Sequence, residues 1–417
     1  MPNDLEIKRI TDLSGRNATL LSNGIIRVVV ADKGGMVPEL STPRGNGWLN
    51  AHWLPHFRAN SGIPYNESKH GSIWPVELLY ELAGNFPCFP NFGPPGEAYG
   101  VSHQAHGLTA NGLWNVVSSG VVEGEGVYVK SAIAASPEYP SLPVSYTKVD
   151  VLLPRHPVHY TLLTAKNAAT ESRMLNAAWH NTVAPPFLCA GCLIDACADR
   201  FATAPGDGEF DTTGRLVLGA DFADLQSAPL KSGGTTDLRT VPGMIGYSDF
   251  VCGAVPENAA IGWSSVTNPI LNTVYLTFFK GPTTAGRNDM ILNFNDYWMQ
   301  YGGRSFPPWA FYDGGTDLTF CLGTENATGA YANGLQYALD NPEILGKPTL
   351  FELAPGEEKT LSYGTALFAY QNMTLSRGVN SVELGAEELI IEGYGGESHQ
   401  MPANGDFKAL GRFAEAL

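Results

Sequence analysis

The sequence predicts an all-β protein, built as one large antiparallel β-sandwich with few short helices. Short alternating or β-branched runs recur along the chain, whereas helical periodicity is scarce. The 47 glycines and 29 prolines are spread along the 417 residues, as expected for many short strands joined by tight turns. Strands do not alternate with helices, which disfavours a parallel α/β sheet. All-β folds of this length are often one unit, so we expect residues 1–417 to form a single domain.

The first predicted element is a hairpin. Two apolar runs between residues 19 and 30 flank Asn23 and Gly24, a strong signal for a short hairpin. Residues 52–100 then combine many Pro, Gly, Asn and aromatic residues without a regular period. We predict that this stretch forms long loops over a sheet, and loops of that length often carry function.

Regular strands are predicted from residue 126 onward. Alternation, or enrichment in β-branched and aromatic residues, marks residues 126–134, 144–153, 158–164, 272–280, 317–322, 349–354, 360–370 and, as the last strand, 389–392. A short helix is predicted over residues 329–339. A terminal helix is predicted to begin after Asp406, with one apolar face formed by Phe407, Leu410, Phe413 and Leu417.

Composition excludes several classes of protein. Apolar residues make up 44% of the chain and charged residues 16%, which is not the composition of a disordered protein. The net charge of −16 repels phosphate backbones, so we expect no nucleic-acid partner. We see no leader-like run and no apolar stretch of membrane-spanning length, and therefore expect no membrane partner and a cytoplasmic location.

The cysteines and glycines do not form a recognisable cofactor motif. Cys189 and Cys192 have zinc-like spacing, but no second pair of Cys or His ligands follows. We expect reduced thiols packed as small apolar residues, and no metal. A phosphate-binding loop and a dinucleotide fingerprint are also missing from the sequence, so we expect no cofactor.

Three segments place a titratable residue in an unusual setting. His106 precedes Gly107 in a small, polar stretch; Trp179 and His180 stand at a predicted strand end; Glu325 ends an apolar strand before a polar turn. An indole beside a polar group is a common platform for a sugar ring, and a buried carboxylate suits a general base. Taken singly, each also fits an ordinary alternative: a hydrogen-bonded loop histidine, a core tryptophan with a structural histidine, or a solvated turn glutamate.

The order and spacing of these segments resemble the galactose mutarotase-like superfamily, which includes aldose 1-epimerases and hexose-6-phosphate mutarotases. The resemblance rests on the His-Gly at residues 106–107, the strand-borne His180 and the Gly-Thr-Glu-Asn at residues 323–326. Residues 86–93 and 355–358 are similar to the segments that precede the family's first histidine and its late strands.

The resemblance implies a β-supersandwich that opens and recloses a sugar ring without a metal or organic cofactor. Glu325 matches the general base that takes the proton of the anomeric hydroxyl, and His180 matches the general acid that protonates the ring oxygen. His106 matches the histidine that helps to hold the sugar. Chemically, ring opening needs one group to remove a proton while another supplies one, which a carboxylate and an imidazole can do near neutral pH.

Further substrate contacts are expected at four residues. Trp179 is a candidate stacking platform, and Asn85 is the nearest polar residue to the place of the family's Asn-Arg pair. The arginine of that pair has no match, because Arg58 lies far upstream. Asp249 and Asp313 are the candidates for the aspartate that some members use on sugar hydroxyls.

We therefore expect an isomerase of the aldose 1-epimerase kind that acts on a small carbohydrate as a monomer or homodimer. Two alternatives on the same fold stay open: a lyase-type enzyme and a sugar-binding protein without activity. Binding alone needs no acid–base pair, so the presence of both His180 and Glu325 favours an enzyme. The identity of the sugar is not predicted by the sequence.

Overall fold

The computed structural model describes residues 5–59, 63–137, 139, 141–206, 208–310, 318–385 and 387–415. The strands up to the middle of the chain are β1 (Glu6–Thr11), β2 (Asn17–Ser22), β3 (Arg27–Ala31), β4 (Glu39–Arg44), β5 (Gly47–Asn50), β6 (Phe86–Cys88), β7 (Gly96–Ala98), β8 (Val101–His103), β9 (Asn115–Val122), β10 (Gly126–Ile133), β11 (Val144–Leu152), β12 (Val158–Asn167), β13 (Arg173–Leu175), β14 (Ala178–His180), β15 (Thr182–Val183) and β16 (Leu193–Ala196).

The remaining strands are β17 (Arg200–Thr203), β18 (Asp221–Phe222), β19 (Ala228–Pro229), β20 (Thr235–Thr236), β21 (Tyr247–Ala254), β22 (Ile261–Asn268), β23 (Thr273–Lys280), β24 (Phe294–Tyr301), β25 (Phe320–Ala327), β26 (Glu343–Ile344), β27 (Lys347–Pro348), β28 (Phe351–Leu353), β29 (Glu358–Ala369), β30 (Val379–Leu384), β31 (Glu388–Gly393) and β32 (Ser398–Pro402). The helices are short: α1 (Glu67–His70), α2 (Glu77–Glu81), α3 (Gly107–Asn111), α4 (Phe210–Thr213), α5 (Leu335–Asp340) and α6 (Gly411–Glu415), the last preceded by a 3-10 turn at Lys408–Leu410.

Two large antiparallel sheets form the body of the protein. The front sheet has the order β18-β17-β21-β24-β25-β14-β6, with β15 also paired to β25. The back sheet has the order β16-β22-β23-β29-β12-β11-β10-β9. Apolar side chains from both sheets meet between them, for example Met299 and Leu322 of the front sheet with Leu367 of the back sheet. The predicted all-β sandwich with few helices is confirmed.

The outer face of each large sheet is also covered, which explains why so many strands are buried on both sides. Residues between β5 and β6, including Trp53, Phe57 and Leu78, pack over the outer face of the front sheet. The strands β30–β32 and the C-terminal segment cover the outer face of the back sheet, where Phe407 and Phe413 are buried. Among the described residues, no helix is both long enough and apolar enough to cross a membrane.

The predicted strands are largely confirmed, with two corrections to element ends and one additional strand. The strand that carries Glu325 continues to Ala327, β32 follows the strand predicted to be last, and the helix predicted over residues 329–339 is limited to Leu335–Asp340. The apolar face of the C-terminal segment is buried at Phe407, Leu410 and Phe413, while Leu417 lies outside the described residues.

Four long strands of the two sheets were not predicted: the edge strand β9 and the strands β21, β22 and β24. Every residue of β22 and β24 is buried, and so is all of β21 except its first residue. A strand that is covered on both faces has no need of alternating polarity, so the usual period of two is missing from its sequence.

Candidate active site

His180 and Glu325 meet on the outer face of the front sheet. Their strands β14 and β25 are antiparallel neighbours, with Ala178 opposite Ala327. Both titratable residues stand two positions from this pair, and side chains two apart in a strand share one face. His180 Nε2 consequently lies 3.2 Å from Glu325 Oε1, and both side chains are buried.

Two neighbours fix the imidazole of His180. The ring of Phe86 on β6 stacks on it, with ring centroids 4.5 Å apart and planes 16° apart. On the other side Thr182 Oγ1 lies 3.1 Å from His180 Nδ1. If the threonine hydroxyl donates to Nδ1, the neutral imidazole carries its proton on Nε2, the nitrogen that faces Glu325.

His106 approaches the same pair from the loop before α3. Its ring lies 5.2 Å from that of His180 and nearly perpendicular to it, at 83°. The backbone of His106 is left-handed, with φ 55°, and Gly107 follows with φ 75°. A Cβ on Gly107 would lie 2.2 Å from the Phe89 carbonyl oxygen, so only glycine allows this tight approach. Burial lowers the pKa of His106 to about 4.

Glu325 has space for its carboxylate because residue 323 on the same face is a glycine. A Cβ on Gly323 would lie 2.8 Å from Glu325 Oε1 and 2.9 Å from the Cβ of Trp298. Glu325 Oε2 has no hydrogen-bond partner among the described residues. An oxygen of this kind, buried and unpartnered, is available to accept a proton or hydrogen bond from a ligand.

Burial opposes charge on both members of the pair. It raises the pKa of Glu325 well above its ordinary value and lowers the pKa of His180 well below its own, with the neighbouring His106 adding to the second effect. The ionised and neutral forms of the pair differ by the position of one proton along the 3.2 Å line between Oε1 and Nε2. Such a pair is suited to passing a proton in either direction.

Asp296 is a fourth titratable residue of the site, and the sequence reasoning missed it. In the register of β24 and β25 it stands directly opposite Glu325, so the two side chains share a face. Asp296 is fully buried, and neither carboxyl oxygen has a hydrogen-bond partner of good geometry among the described residues. An acidic residue among the aromatic residues of Phe294–Tyr301 was the signal available in the sequence.

An aromatic wall stands beside these polar groups. The ring of Trp298 lies 6.0 Å from that of His180, and Trp309 and Trp53 pack on Trp298 at 5.5 and 5.9 Å. The guanidinium of Arg304 lies 3.9 Å from the Trp309 ring centroid and is ion-paired with Glu209. Indole faces beside hydrogen-bonding groups are suited to the apolar and polar surfaces of a sugar.

Two predicted substrate contacts lie on the inner face of the front sheet instead. Trp179 is adjacent to His180 in β14 and therefore points the opposite way, against Tyr363 of the back sheet at 5.4 Å. Asn85 donates from Nδ2 to Asn181 Oδ1 at 2.5 Å and to the Tyr275 hydroxyl at 2.8 Å, both between the sheets. The structure does not bring these two residues to the His180–Glu325 pair.

Asp249 and the upstream arginine are also not brought to the pair. Asp249 forms an ion pair with Arg215 at 3.0 Å, on the face of β21 opposite to that of Glu325. Asp313 lies outside the described residues. Arg58 pairs with Asp12 at 2.9 Å.

All six cysteines are free thiols, as expected from their pattern. Cys189 Sγ and Cys192 Sγ lie 3.8 Å apart without a bond. In the part of the chain that the structure describes, no group of three His, Cys, Asp or Glu side chains has the arrangement needed to hold a metal ion.

Comparisons with known proteins identify the fold. No family model and no curated protein matches the sequence. Among solved structures, a Klebsiella pneumoniae protein that carries the provisional name aldose 1-epimerase is 13% identical, covers 88% of this chain and 83% of its own, and superposes with a TM-score of 0.60. A galactose mutarotase-like protein from Clostridium acetobutylicum is 13% identical, with coverages of 88% and 99% and a TM-score of 0.57.

A third structure, from Escherichia coli K12 and also provisionally named aldose 1-epimerase, is 15% identical, with coverages of 88% and 100% and a TM-score of 0.51. This chain therefore has the galactose mutarotase-like fold. The resemblance found in the sequence motifs is confirmed at the level of the fold.

Proposed function

We propose that this protein is an isomerase of the aldose 1-epimerase kind, which interconverts the anomers of a small sugar by opening and reclosing its ring. The observation that supports this most is the 3.2 Å contact between His180 Nε2 and Glu325 Oε1. It joins an acid–base pair on one face of the sheet, where burial excludes bulk water. The provisional names of the structural neighbours agree with the proposal.

In the proposed reaction the sugar displaces the direct contact and lies between the two groups. Glu325, as the carboxylate, removes the proton of the anomeric hydroxyl while His180, as the protonated imidazole, delivers a proton to the ring oxygen. The bond between C1 and the ring oxygen breaks, giving the open-chain aldehyde. Rotation of the C1 carbonyl and reversal of the two proton transfers close the ring on the other face. His106, beside His180, hydrogen-bonds to the sugar and orients it.

The residues on the inner face have no substrate contact in this proposal. Trp179 and Asn85 join the two sheets, and Asp249 neutralises Arg215. The stacking surface proposed for the sugar is Trp298, which lies on the same face as Glu325 because it is opposite Gly323 in the register. Trp298 thus takes the stacking role that the sequence suggested for Trp179, because its ring lies beside that of His180.

The deciding experiment is the rate of anomer exchange for a panel of freshly dissolved α-sugars, followed by polarimetry or NMR exchange spectroscopy. We expect catalysis above the spontaneous rate for at least one sugar, with loss of that catalysis in Glu325→Gln. Binding of the sugars without any acceleration would instead favour a binding protein. Release of an unsaturated product from a polymer of uronic acids would favour a lyase.

A further inference from the structure

The outer face of the front sheet holds two carboxyl groups side by side, and only one of them lies beside an imidazole. Asp296 and Glu325 are directly opposite in the register of β24 and β25. Glu325 Oε1 faces the ring nitrogen of His180 at 3.2 Å, whereas both oxygens of Asp296 have no partner of good geometry among the described residues. The backbone amide of Tyr331 lies near the Asp296 carboxyl and slightly opposes the rise of its pKa, but it forms no hydrogen bond of good geometry with it.

The surroundings cannot neutralise two negative charges. The titratable groups that face the two carboxyls from the neighbouring elements are His180, His106, Cys88, Cys252, Cys321 and Tyr331. Burial lowers the pKa of both histidines and keeps the thiols protonated by raising theirs. Among the described residues, only the imidazole of His180 pairs with either carboxyl, at 3.2 Å from Glu325. The positive charge of Arg304, which lowers the pKa of Cys321, is already paired with the carboxylate of Glu209.

Two adjacent buried carboxyls that share at most one imidazolium cannot both ionise, because the second charge would be repelled at low dielectric. Of the two, Glu325 is the better carboxylate, since its Oε1 lies 3.2 Å from His180 Nε2. Burial and the negative charge of Glu325 both raise the pKa of Asp296.

We propose that Asp296 is held as a neutral carboxylic acid at neutral pH and donates a hydrogen bond to a hydroxyl oxygen of the sugar, beside the accepting carboxylate of Glu325. This inference rests on the proposed function for the identity of the ligand, but the protonation state itself does not depend on it. The pair then presents one donor and one acceptor to adjacent oxygens of a polyol. A neutral sugar suits such a site better than one with an anionic group near Asp296.

Infrared difference spectroscopy on the full chain at neutral pH tests the protonation state without any assay of activity. A buried carboxylic acid has a C=O stretching band above the amide region, and an ionised carboxylate does not. We expect that band in the wild-type-minus-Asp296→Asn difference spectrum. Asp249→Asn, which replaces an aspartate that is ion-paired with Arg215, is the matched control and should retain the Asp296 band. A difference spectrum that shows the loss of carboxylate bands in Asp296→Asn would overturn the proposal.

Labelling of all aspartates with ¹³C in the wild-type protein covers the case in which the variant does not fold. The acid band should then shift to lower frequency, and a protein whose carboxylic-acid bands do not move on labelling would contradict the proposal. Ligand contact is tested separately by isothermal titration with neutral hexoses. Asp296→Asn, which retains an N–H donor, should bind within about threefold of wild type, whereas Asp296→Ala should bind roughly tenfold more weakly, the equivalent of one lost hydrogen bond.

Equal weakening by Asn and Ala would show that the ionised carboxylate is the form that binds, and would overturn the donor role. A protein that shows the aspartic-acid band but accelerates no anomer exchange would refute the proposed isomerase while leaving the protonation state of Asp296 intact. The two failures are therefore distinguishable.

Discussion

Asn181 and Asn326 bind the same hydroxyl group, that of Tyr363 on β29 of the back sheet. Asn181 donates to it from Nδ2 over 2.6 Å, and the tyrosine donates its own proton to Asn326 Oδ1. The two asparagines directly follow His180 and Glu325 and so point to the inner face, away from the site. One tyrosine of the back sheet thus fixes the relative position of the two strands that carry the acid–base pair.

Removal of the Tyr363 hydroxyl should displace His180 and Glu325 without changing either residue. We expect Tyr363→Phe to lower kcat roughly 3- to 30-fold with little change in KM, because small displacements of positioned groups are costly. It should also reduce the free energy of unfolding by about 1–2 kcal/mol, since two buried amides lose a partner. Steady-state anomer exchange and urea unfolding measure the two effects.

Tyr301→Phe is the matched control for this prediction. Tyr301 is a buried tyrosine of β24 whose hydroxyl has no hydrogen-bond partner among the described residues. The control should therefore retain both kcat and stability. If the two variants behaved alike, the hydroxyl of Tyr363 would have no positioning role.

The acid–base assignment predicts unequal effects of three substitutions. Glu325→Gln and His180→Asn should each reduce anomer exchange by about 10²–10⁴-fold, the usual worth of a general acid or base, while sugar binding persists. The double variant should be little worse than either single one, because both groups act in one step. His106→Asn should mainly weaken binding. A fully active Glu325→Gln protein would show that another residue is the base.

How far the sequence could predict this site depends on which contacts are local. The His-Gly turn at residue 106, the strand carrying His180 and the carboxylate at residue 325 are local features, and their order and spacing carried the family resemblance that selected them. Asp296 was missed because its place opposite Glu325 depends on the pairing register of two strands, which the sequence does not state. Register is set by long-range packing and by turns.

Trp179 is a different case, because here the sequence contained the answer. It directly precedes His180 in a predicted strand, and adjacent residues of a strand point to opposite faces. The two could not share one sugar site on a regular strand. Trp298, in contrast, required the unpredicted strand β24, whose residues are buried throughout.

The pH dependence of the reaction should follow the raised pKa of Glu325. Catalysis requires the carboxylate, and burial moves its pKa upward from the ordinary 4.5. Activity should therefore increase with pH, and the apparent pKa of the acid limb should lie clearly above 4.5. The pH profile of kcat/KM for the free enzyme measures it. An acid limb at or below the ordinary value would indicate that Glu325 is solvated and ionised in the free enzyme, against the buried arrangement described here.

The stability of the fold should also depend on pH through Asp296. Its pKa is raised in the folded protein above the unfolded value of 3.8. Above that pH the unfolded chain releases a proton that the folded chain retains, so stability is lost as pH rises, at up to about 1.4 kcal/mol per pH unit. Asp296→Asn removes this contribution. Urea unfolding between acid and neutral pH should show the variant gaining stability relative to wild type, whereas a constant difference would mean that Asp296 ionises in the folded state.

Gly323 supplies the last prediction, because it controls the space in which the Glu325 carboxylate lies. An added Cβ would lie 2.8 Å from Glu325 Oε1 and 2.9 Å from the Cβ of Trp298, closer than such atoms approach in proteins. Residue 323 does not have the positive φ that would itself exclude alanine. In the Gly323→Ala protein the Glu325 carboxylate must therefore move, and we expect kcat to fall by about 10- to 100-fold.

Gly120→Ala is the matched control, since its Cβ would make only an ordinary 3.7 Å contact with Tyr128 on the neighbouring strand. Anomer exchange should be normal in the control and impaired in Gly323→Ala, with both proteins folded by circular dichroism. Full activity of a folded Gly323→Ala protein would show that the position of the Glu325 carboxylate in this structure is not the one used for catalysis.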